Sequence, residues 1–236
     1  YQEGGARATS DGAIAVLQGR SVGGSTTVNW TSSFRTPAPT LKFWASECEV
    51  VGHSVDEMKP WFEMMEKRLD VMLWEAHNPN NSVLMRGCQK LGWEAHAIPR
   101  NVRGCWNSGY CGLGCPVNAK QSTLVSTIPG ALKQGATLVH RVRVRQLQHV
   151  DGKISGAVGE ALREDGRTPS GTLLTIKARH YSAAGGAINT PAVLLRSKAP
   201  DPHQILGKRS FIHPVVLSLA QMPERIDPFF GAPQSI

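Results

Sequence analysis

Apolar residues recur at helical spacing in the stretch that follows residue 54. Ser54 and Glu57 have the spacing of a capping box, and Pro60 can open a helical turn. The pattern predicts an amphipathic helix that ends at residues 78–81, with a Met-rich stripe directed toward the core. The apolar positions of this stripe are Trp61, Met64, Met65, Leu69, Met72 and Leu73.

The rest of the pattern mixes short apolar strands with helices. Asp151 and Gly152 predict a hairpin turn between two of the strands. A mixture of this kind over 236 residues indicates an α/β (α+β) protein. The predicted strands cover residues 13–17, 137–150, 154–161 and 172–184, and the predicted helices cover residues 86–93, 124–134 and 191–195.

Composition narrows the possible function classes. The longest apolar runs, at residues 13–17 and 215–219, are far shorter than the ~20 residues of a membrane helix, so we expect no transmembrane segment. The net charge of +8 raises the question whether the protein binds nucleic acid. The densest basic patch (Arg141, Arg143 and Arg145) alternates with valines, which is typical of a strand with one solvated face. We therefore expect no nucleic-acid partner, with phosphate or nucleic-acid contact at this patch as the alternative interpretation.

Five cysteines form an odd set without a secretory segment, which favours reduced thiols and a cytoplasmic location. Cys105, Cys111 and Cys115 share a Gly-rich loop. Thiolates at short spacing can hold zinc or an iron–sulfur cluster, and they can also form redox pairs. A structural loop is the interpretation that we favour. A Cys-loop metal-binding or electron-carrier module remains the alternative function.

Two glycine-bearing segments are the main candidates for ligand binding. Residues 19–29 read Gly-Arg-Ser-Val-Gly-Gly-Ser-Thr-Thr-Val-Asn, and paired glycines let a backbone approach a flat or anionic ligand. The amides and hydroxyls there are expected to be free to donate hydrogen bonds. No Gly-Lys-Ser/Thr follows, which excludes a nucleoside-triphosphate P-loop. A plain Gly-rich turn is the alternative.

The second segment, residues 182–191, follows a predicted strand. It consists mainly of small residues and leads into a helix that is expected to begin after Thr190, with Pro191 at its first position. A helix N-terminus in that position can face an anion such as a pyrophosphate. An ordinary strand-to-helix turn is the alternative interpretation.

In order and separation, these two segments resemble the two signatures of the glucose–methanol–choline (GMC) flavoprotein oxidoreductases. The resemblance implies that both segments bind one FAD, and that Val144 pairs through its backbone with the adenine edge. The cofactor-binding residues implied in this way are Arg20, Gly23, Gly24, Ser25, Asn29, Val144, Ala184, Gly185, Gly186 and Ala187.

The sequence departs from the family pattern in a few places. Ser33 stands where an aromatic residue is expected, with Phe34 next, and Lys198 stands where the family usually has glycine. Relatives that bind flavin covalently have a histidine immediately before the signature asparagine. Val28 occupies that position, so the resemblance implies non-covalent FAD.

The resemblance also divides the chain and assigns a reaction. It implies an incomplete Rossmann-like FAD-binding core (residues 1–46 and 101–198), a helical insert (47–100) and the start of a substrate domain (199–236). Residues 205–214 resemble the segment after the second signature, in which His213 is not the catalytic histidine.

The implied reaction is oxidation of the CH–OH group of a small-molecule alcohol, with hydride transfer to flavin N5. The family's Gly-x-Gly-x-x-Gly unit and its C-terminal catalytic histidine are not in this sequence. We therefore expect an internal fragment that binds FAD weakly or not at all and does not turn over alcohol by itself.

Overall fold

The computed structural model describes residues 1–211, 213 and 215–236, which form two compact units. Unit 1 comprises Tyr1–Thr137 together with Gln221–Ile236, and unit 2 comprises Leu138–Ala220. The described residues contain five α-helices and two antiparallel sheets, which confirms the mixed α and β class. Ile212 and Pro214, which belong to the segment that resembles the region after the second signature, lie outside the described residues.

Unit 1 contains four α-helices and a small sheet. Its two strands pair antiparallel, with Met72 opposite Arg100. The elements are α1 (Ala38–Glu47), α2 (Val55–Arg68), β1 (Val71–Leu73), α3 (Pro79–Leu91), β2 (Pro99–Asn101) and α4 (Thr127–Lys133), with 3-10 turns at Gln2–Gly5, Gly24–Thr27 and Cys111–Leu113.

Helix α2 begins as predicted but is shorter. Ser54 Oγ accepts the Glu57 amide at 3.3 Å, and the Glu57 carboxylate accepts the Ser54 amide at 3.0 Å. The helix ends at Arg68 because Asp70 adopts a left-handed φ of +48°, after which β1 begins. The prediction of a core-facing Met-rich stripe is wrong for α2, since Trp61, Met64 and Met65 are exposed.

Residues 78–81 begin a helix rather than end one. Asn78 Oδ1 accepts the Asn81 amide at 2.8 Å and so acts as the N-cap of α3. Gly92 closes this helix with a φ of +68°. The helix predicted over residues 86–93 is therefore the second half of α3.

Asn78 and Asn81 also hold the last residues of the chain against unit 1. Asn78 Nδ2 donates to the carbonyls of Phe230 and Ala232 at 3.1 and 3.3 Å. Asn81 Nδ2 donates to the same Ala232 carbonyl at 3.1 Å. Residues 221–236 thus belong to unit 1 and residues 199–220 to unit 2. The predicted substrate-domain segment remains a prediction.

The described residues of unit 2 form an antiparallel meander with one helix. The Asp151–Gly152 turn confirms the predicted hairpin, since both residues have positive φ, as a type I′ turn requires. Helix α5 packs on the first strand. The elements are β3 (Val142–Val150), β4 (Lys153–Leu162), β5 (Pro169–Ile176) and α5 (Gly186–Arg196), and the strand order is β3-β4-β5.

Three predicted elements differ from the structure. Residues 13–17 form only an isolated bridge between Ala8 and Ala15, because a strand without a continuous partner is not stable. Strand β5 ends at Ile176, where the Tyr181 hydroxyl accepts the Ala178 amide and the backbone turns away. The last helix starts at Gly186 rather than Pro191.

Buried polar side chains outnumber buried apolar ones in the described residues. The buried apolar set is Leu41, Val102, Ala119, Leu147, Ala157 and Ala232. None of the helices in the described part of the chain has the length and apolar character that crossing a bilayer requires.

Candidate functional site

The Gly-rich loop of unit 1, residues 19–29, is a tight turn that runs into the 3-10 turn Gly24–Thr27. Gly23 and Gly24 have φ values of +92° and +56°, the region that glycine adopts at little cost. A Cβ on Gly19 would lie 2.6 Å from the Gly24 carbonyl oxygen, so a side chain does not fit there. Close backbone packing therefore explains these glycines in physical terms.

The hydroxyl groups of this loop bond within the loop. Ser25 Oγ accepts the Gly19 amide at 2.9 Å. Thr26 Oγ1 donates to the Gly23 carbonyl at 2.5 Å, and Thr27 Oγ1 donates to the Gly24 carbonyl at 2.7 Å. The expectation of free threonine hydroxyls is therefore wrong, because these groups are used to close the turn.

One face of the loop remains accessible. Among the residues that the structure describes, no heavy atom beyond Gly24, its two chain neighbours and the backbone of its own turn lies within 4 Å of the place that a Cβ on Gly24 would occupy. Ser25 and Asn29 are exposed, while Arg20, Gly23 and Gly24 are half-buried. The structure thus brings together the five predicted residues of the first segment, and it leaves bare backbone open beside them.

Residues 120–123 contact this loop through hydrogen bonds from Thr123. The Thr123 amide donates to Thr26 Oγ1 at 3.0 Å, and Thr123 Oγ1 donates to the Gly23 carbonyl at 3.1 Å. A Cβ on Gly23 would lie 3.0 Å from the Leu124 Cβ. Sequence reasoning missed Thr123, because no local pattern relates residues that are 100 positions apart.

Lys120 also bonds to this loop, through charge-assisted hydrogen bonds. Its side chain is buried, and Nζ donates to the carbonyls of Thr27, Asn29 and Cys111 at 3.0, 2.6 and 2.6 Å. Burial lowers the pKa of Lys120. A signal was present in the sequence, since Lys120 is the only charged residue between Arg103 and Lys133.

The cysteine loop (residues 105–115) contacts Lys120 through the Cys111 carbonyl. All five cysteines are free thiols, and burial raises the pKa of Cys111, whose Sγ lies 3.6 Å from Arg100 Nη2. No group of three or more metal-ligating side chains is present among the residues that the structure describes. An open cavity of about 400 Å³ on this loop is lined by Tyr110, Leu113, Gly114, Cys115 and Pro116.

The second glycine-bearing segment lies in unit 2. Gly186 has a φ of +82° at the first position of α5, which lets the chain turn sharply into the helix five residues earlier than expected. The Gly185 amide donates to Thr190 Oγ1 at 2.8 Å. The four predicted residues of this segment are all exposed: Ala184, Gly185, Gly186 and Ala187.

Val144 lies on β3, the strand that α5 covers. The strand has a register shift directly after Val144, which leaves Arg145 outside the regular pairing. Arg196 Nε donates to the Arg145 carbonyl at 3.0 Å, and Ser197 Oγ accepts the Leu147 amide at 2.8 Å. The C-terminal end of α5 thus holds the backbone next to Val144.

These features fit the cofactor that the sequence resemblance implies. FAD presents a flat ring system and a pyrophosphate, both of which suit bare backbone at glycines. Unit 1 offers such backbone at Gly24, and unit 2 offers exposed small residues around the start of α5.

Comparison with known proteins gives a consistent result. The family model described as GMC oxidoreductase matches residues 1–215. Long-chain-alcohol oxidase FAO4B of Arabidopsis thaliana is 29% identical over 98% of this chain and 31% of its own length. Long-chain-alcohol oxidase FAO4A of the same plant is 31% identical over 95% and 30%.

A bacterial relative is also a GMC-type oxidoreductase. An uncharacterized GMC-type oxidoreductase of Sinorhizobium fredii is 28% identical over 91% of this chain and 41% of its own length. The chain therefore spans roughly a third of the length of the curated relatives that it matches. The family match covers most of the sequence and both glycine-bearing segments, and the chain belongs to the GMC oxidoreductase family.

Proposed function

We propose that this chain is the FAD-binding part of an oxidoreductase that converts alcohols to carbonyl compounds. The observation that carries the proposal is the loop at residues 19–29, with open backbone at Gly24 and internal hydrogen bonds that close the turn. Membership of the GMC family and the similarity to two long-chain-alcohol oxidases support it.

In this proposal the FAD-binding residues are the ones that the family resemblance implies. Arg20, Gly23, Gly24, Ser25 and Asn29 contribute from unit 1. The contribution of unit 2 comes from Val144, Ala184, Gly185, Gly186 and Ala187. Attachment is non-covalent, because the Val28 side chain has no nucleophilic atom with which to bond the flavin.

The chemistry follows from the cofactor. Bound FAD supplies a hydride acceptor at N5 for the CH–OH carbon of a small-molecule alcohol. The residues of this chain bind and orient that acceptor, and none of them is assigned as the base that takes the hydroxyl proton. The activity and the substrate class are properties of the whole protein, and both are proposed from the family and from the similar alcohol oxidases.

The proposal is tested by titrating the chain with FAD and following flavin fluorescence. We expect weak but saturable binding. Gly24→Val strains the backbone at positive φ and places a side chain on the open face, so FAD affinity falls about tenfold or more. Gly52→Val is the matched control, because Gly52 also has positive φ and open space around it, outside the site.

Equal loss of affinity in both variants contradicts the proposal. Stoichiometric zinc or iron in the purified chain without flavin binding also contradicts it, and points to a metal-binding cysteine loop.

A further inference from the structure

Lys120 has an unusual set of partners for a lysine. Its side-chain ammonium donates to three backbone carbonyls, and two of them, Thr27 and Asn29, belong to the loop proposed to bind FAD. The third is Cys111, in the cysteine loop. All three N–H bonds of the ammonium therefore have an acceptor, and each is a charge-assisted hydrogen bond.

The charge of Lys120 is costly where it lies. The residue is 3% exposed, and none of the ion pairs in the described part of the chain includes it. Burial is the main cause that lowers its pKa, and the buried guanidinium of Arg100 lowers that pKa further. The thiols of Cys111 and Cys115 act in the opposite direction. The charge is therefore held at a buried position by its three carbonyl acceptors, two of which belong to the loop.

The backbone of Lys120 is anchored independently of its side chain. Lys120 forms a bridge with Val102, next to β2, and the Gln121 amide donates to the Asn101 carbonyl at 3.0 Å. The Arg103 amide donates to the Ala119 carbonyl at 2.8 Å. The ammonium therefore reaches the loop from a backbone position that is fixed on both sides.

We infer that Lys120 is a positioning residue of the cofactor site, which fixes the Thr27–Asn29 backbone in its binding conformation before FAD arrives. The identity of the ligand rests on the proposed function, whereas the fixing of the loop does not. A loop that is ordered in advance loses less conformational entropy when its ligand binds. Ligand affinity then depends on Lys120 through the loop.

The first test is amide hydrogen exchange of the chain without cofactor, measured by mass spectrometry. Lys120→Met removes the three hydrogen bonds and keeps a side chain of similar length. We expect exchange in a peptide covering residues 23–31 to accelerate about tenfold or more, while peptides from α3 keep their protection. Lys133→Met is the control, since Lys133 is an exposed lysine of α4 and its loss leaves the loop unchanged.

The second test compares FAD affinity. Lys120→Met lowers it about tenfold, and Lys120→Arg, which keeps the charge and the donors, restores at least part of the loss. If Lys120→Met does not fold, Lys120→Gln, which retains a polar amide donor but not the charge, takes its place with the same expected direction.

The outcomes separate this inference from the proposed function. Unchanged exchange at residues 23–31 in the folded Lys120 variant overturns the inference, even when FAD binds as proposed. Accelerated exchange together with equal loss of FAD affinity in Gly24→Val and Gly52→Val supports the fixing of the loop by Lys120 and overturns the proposed function. Loss of protection throughout unit 1 also overturns the inference, because Lys120 would then be a general structural residue.

Discussion

The contacts inside unit 1 and the contacts inside unit 2 are of different kinds. Unit 2 is a meander of consecutive strands, in which Leu147 stands opposite Ala157 and both are buried. In unit 1 the buried groups are mostly polar and their partners are distant in sequence. Asn78 Nδ2 bonds to a carbonyl 152 residues away, and Lys120 Nζ bonds to one 93 residues away.

The two units therefore differ in the contacts that must form before each of them is folded. A hairpin closes over a short loop, and its apolar contacts tolerate small shifts. A buried hydrogen-bond network requires every partner in place, because a single unpaired group costs about 1–3 kcal/mol. The glycine loop of unit 1 is part of such a network, and its geometry therefore depends on residues far from it in sequence.

The largest expected effect is in the apolar pair of unit 2. Leu147→Ala removes a side chain that is 9% exposed and leaves a cavity against Ala157, which costs about 3 kcal/mol. Hydrogen exchange in peptides from β3 and β4 measures the loss. Val150→Ala on the same strand, at a site 62% exposed, is the control and costs less than about 0.5 kcal/mol. Equal losses would show that unit 2 has no apolar core at Leu147.

A smaller loss of stability is expected when Asn78, which bonds to the last residues of the chain in unit 1, is replaced. Asn78→Ala removes the N-cap of α3 and leaves the carbonyls of Phe230 and Ala232 without this donor, at a position 1% exposed. We expect a loss of about 2 kcal/mol in the free energy of unfolding, measured with urea. Asn80→Ala, at an exposed position of α3, is the control. Two equally stable variants would contradict a polar origin of this packing.

The smallest effect concerns an exposed turn of unit 2 that uses polar contacts as unit 1 does. Hydrogen bonds from the Thr168 hydroxyl and from the Arg167 and Thr168 amides lower the pKa of Asp165 from 3.8 to about 2. Since the folded-state pKa is the lower one, the stabilisation is present above about pH 4 and is lost as the pH falls through about 2. An NMR titration of the Asp165 carboxyl measures it, and a midpoint near 3.8 would show that the turn does not hold the carboxylate.

Local features of the fold could be predicted from the sequence because their partners are close by. The capping box of Ser54 and Glu57 spans one helical turn, and the Asp151–Gly152 turn joins adjacent strands. The two glycine-bearing segments were recognisable for a related reason. Their positive φ values and close approaches allow few residue types other than glycine.

Other features escaped prediction because their cause lies elsewhere in the chain. Asn78 followed by proline indicated the end of a helix. In the structure Asn78 is the N-cap of α3, and its side chain also bonds to the Phe230 carbonyl near the end of the chain. The helical spacing of apolar residues continued to Leu73, but the left-handed turn at Asp70 and the pairing of β1 with β2 ended the helix.

By itself, the sequence determined the class of fold, the family and the two backbone segments proposed to bind a dinucleotide. These properties depend on residue types at short spacing, where sterics and hydrogen bonding act over a few residues. Only the tertiary structure decided which groups hold the first segment in place. Lys120 and Thr123 reach it across more than ninety residues, and such pairings follow from the fold, since no local preference selects one distant carbonyl over another.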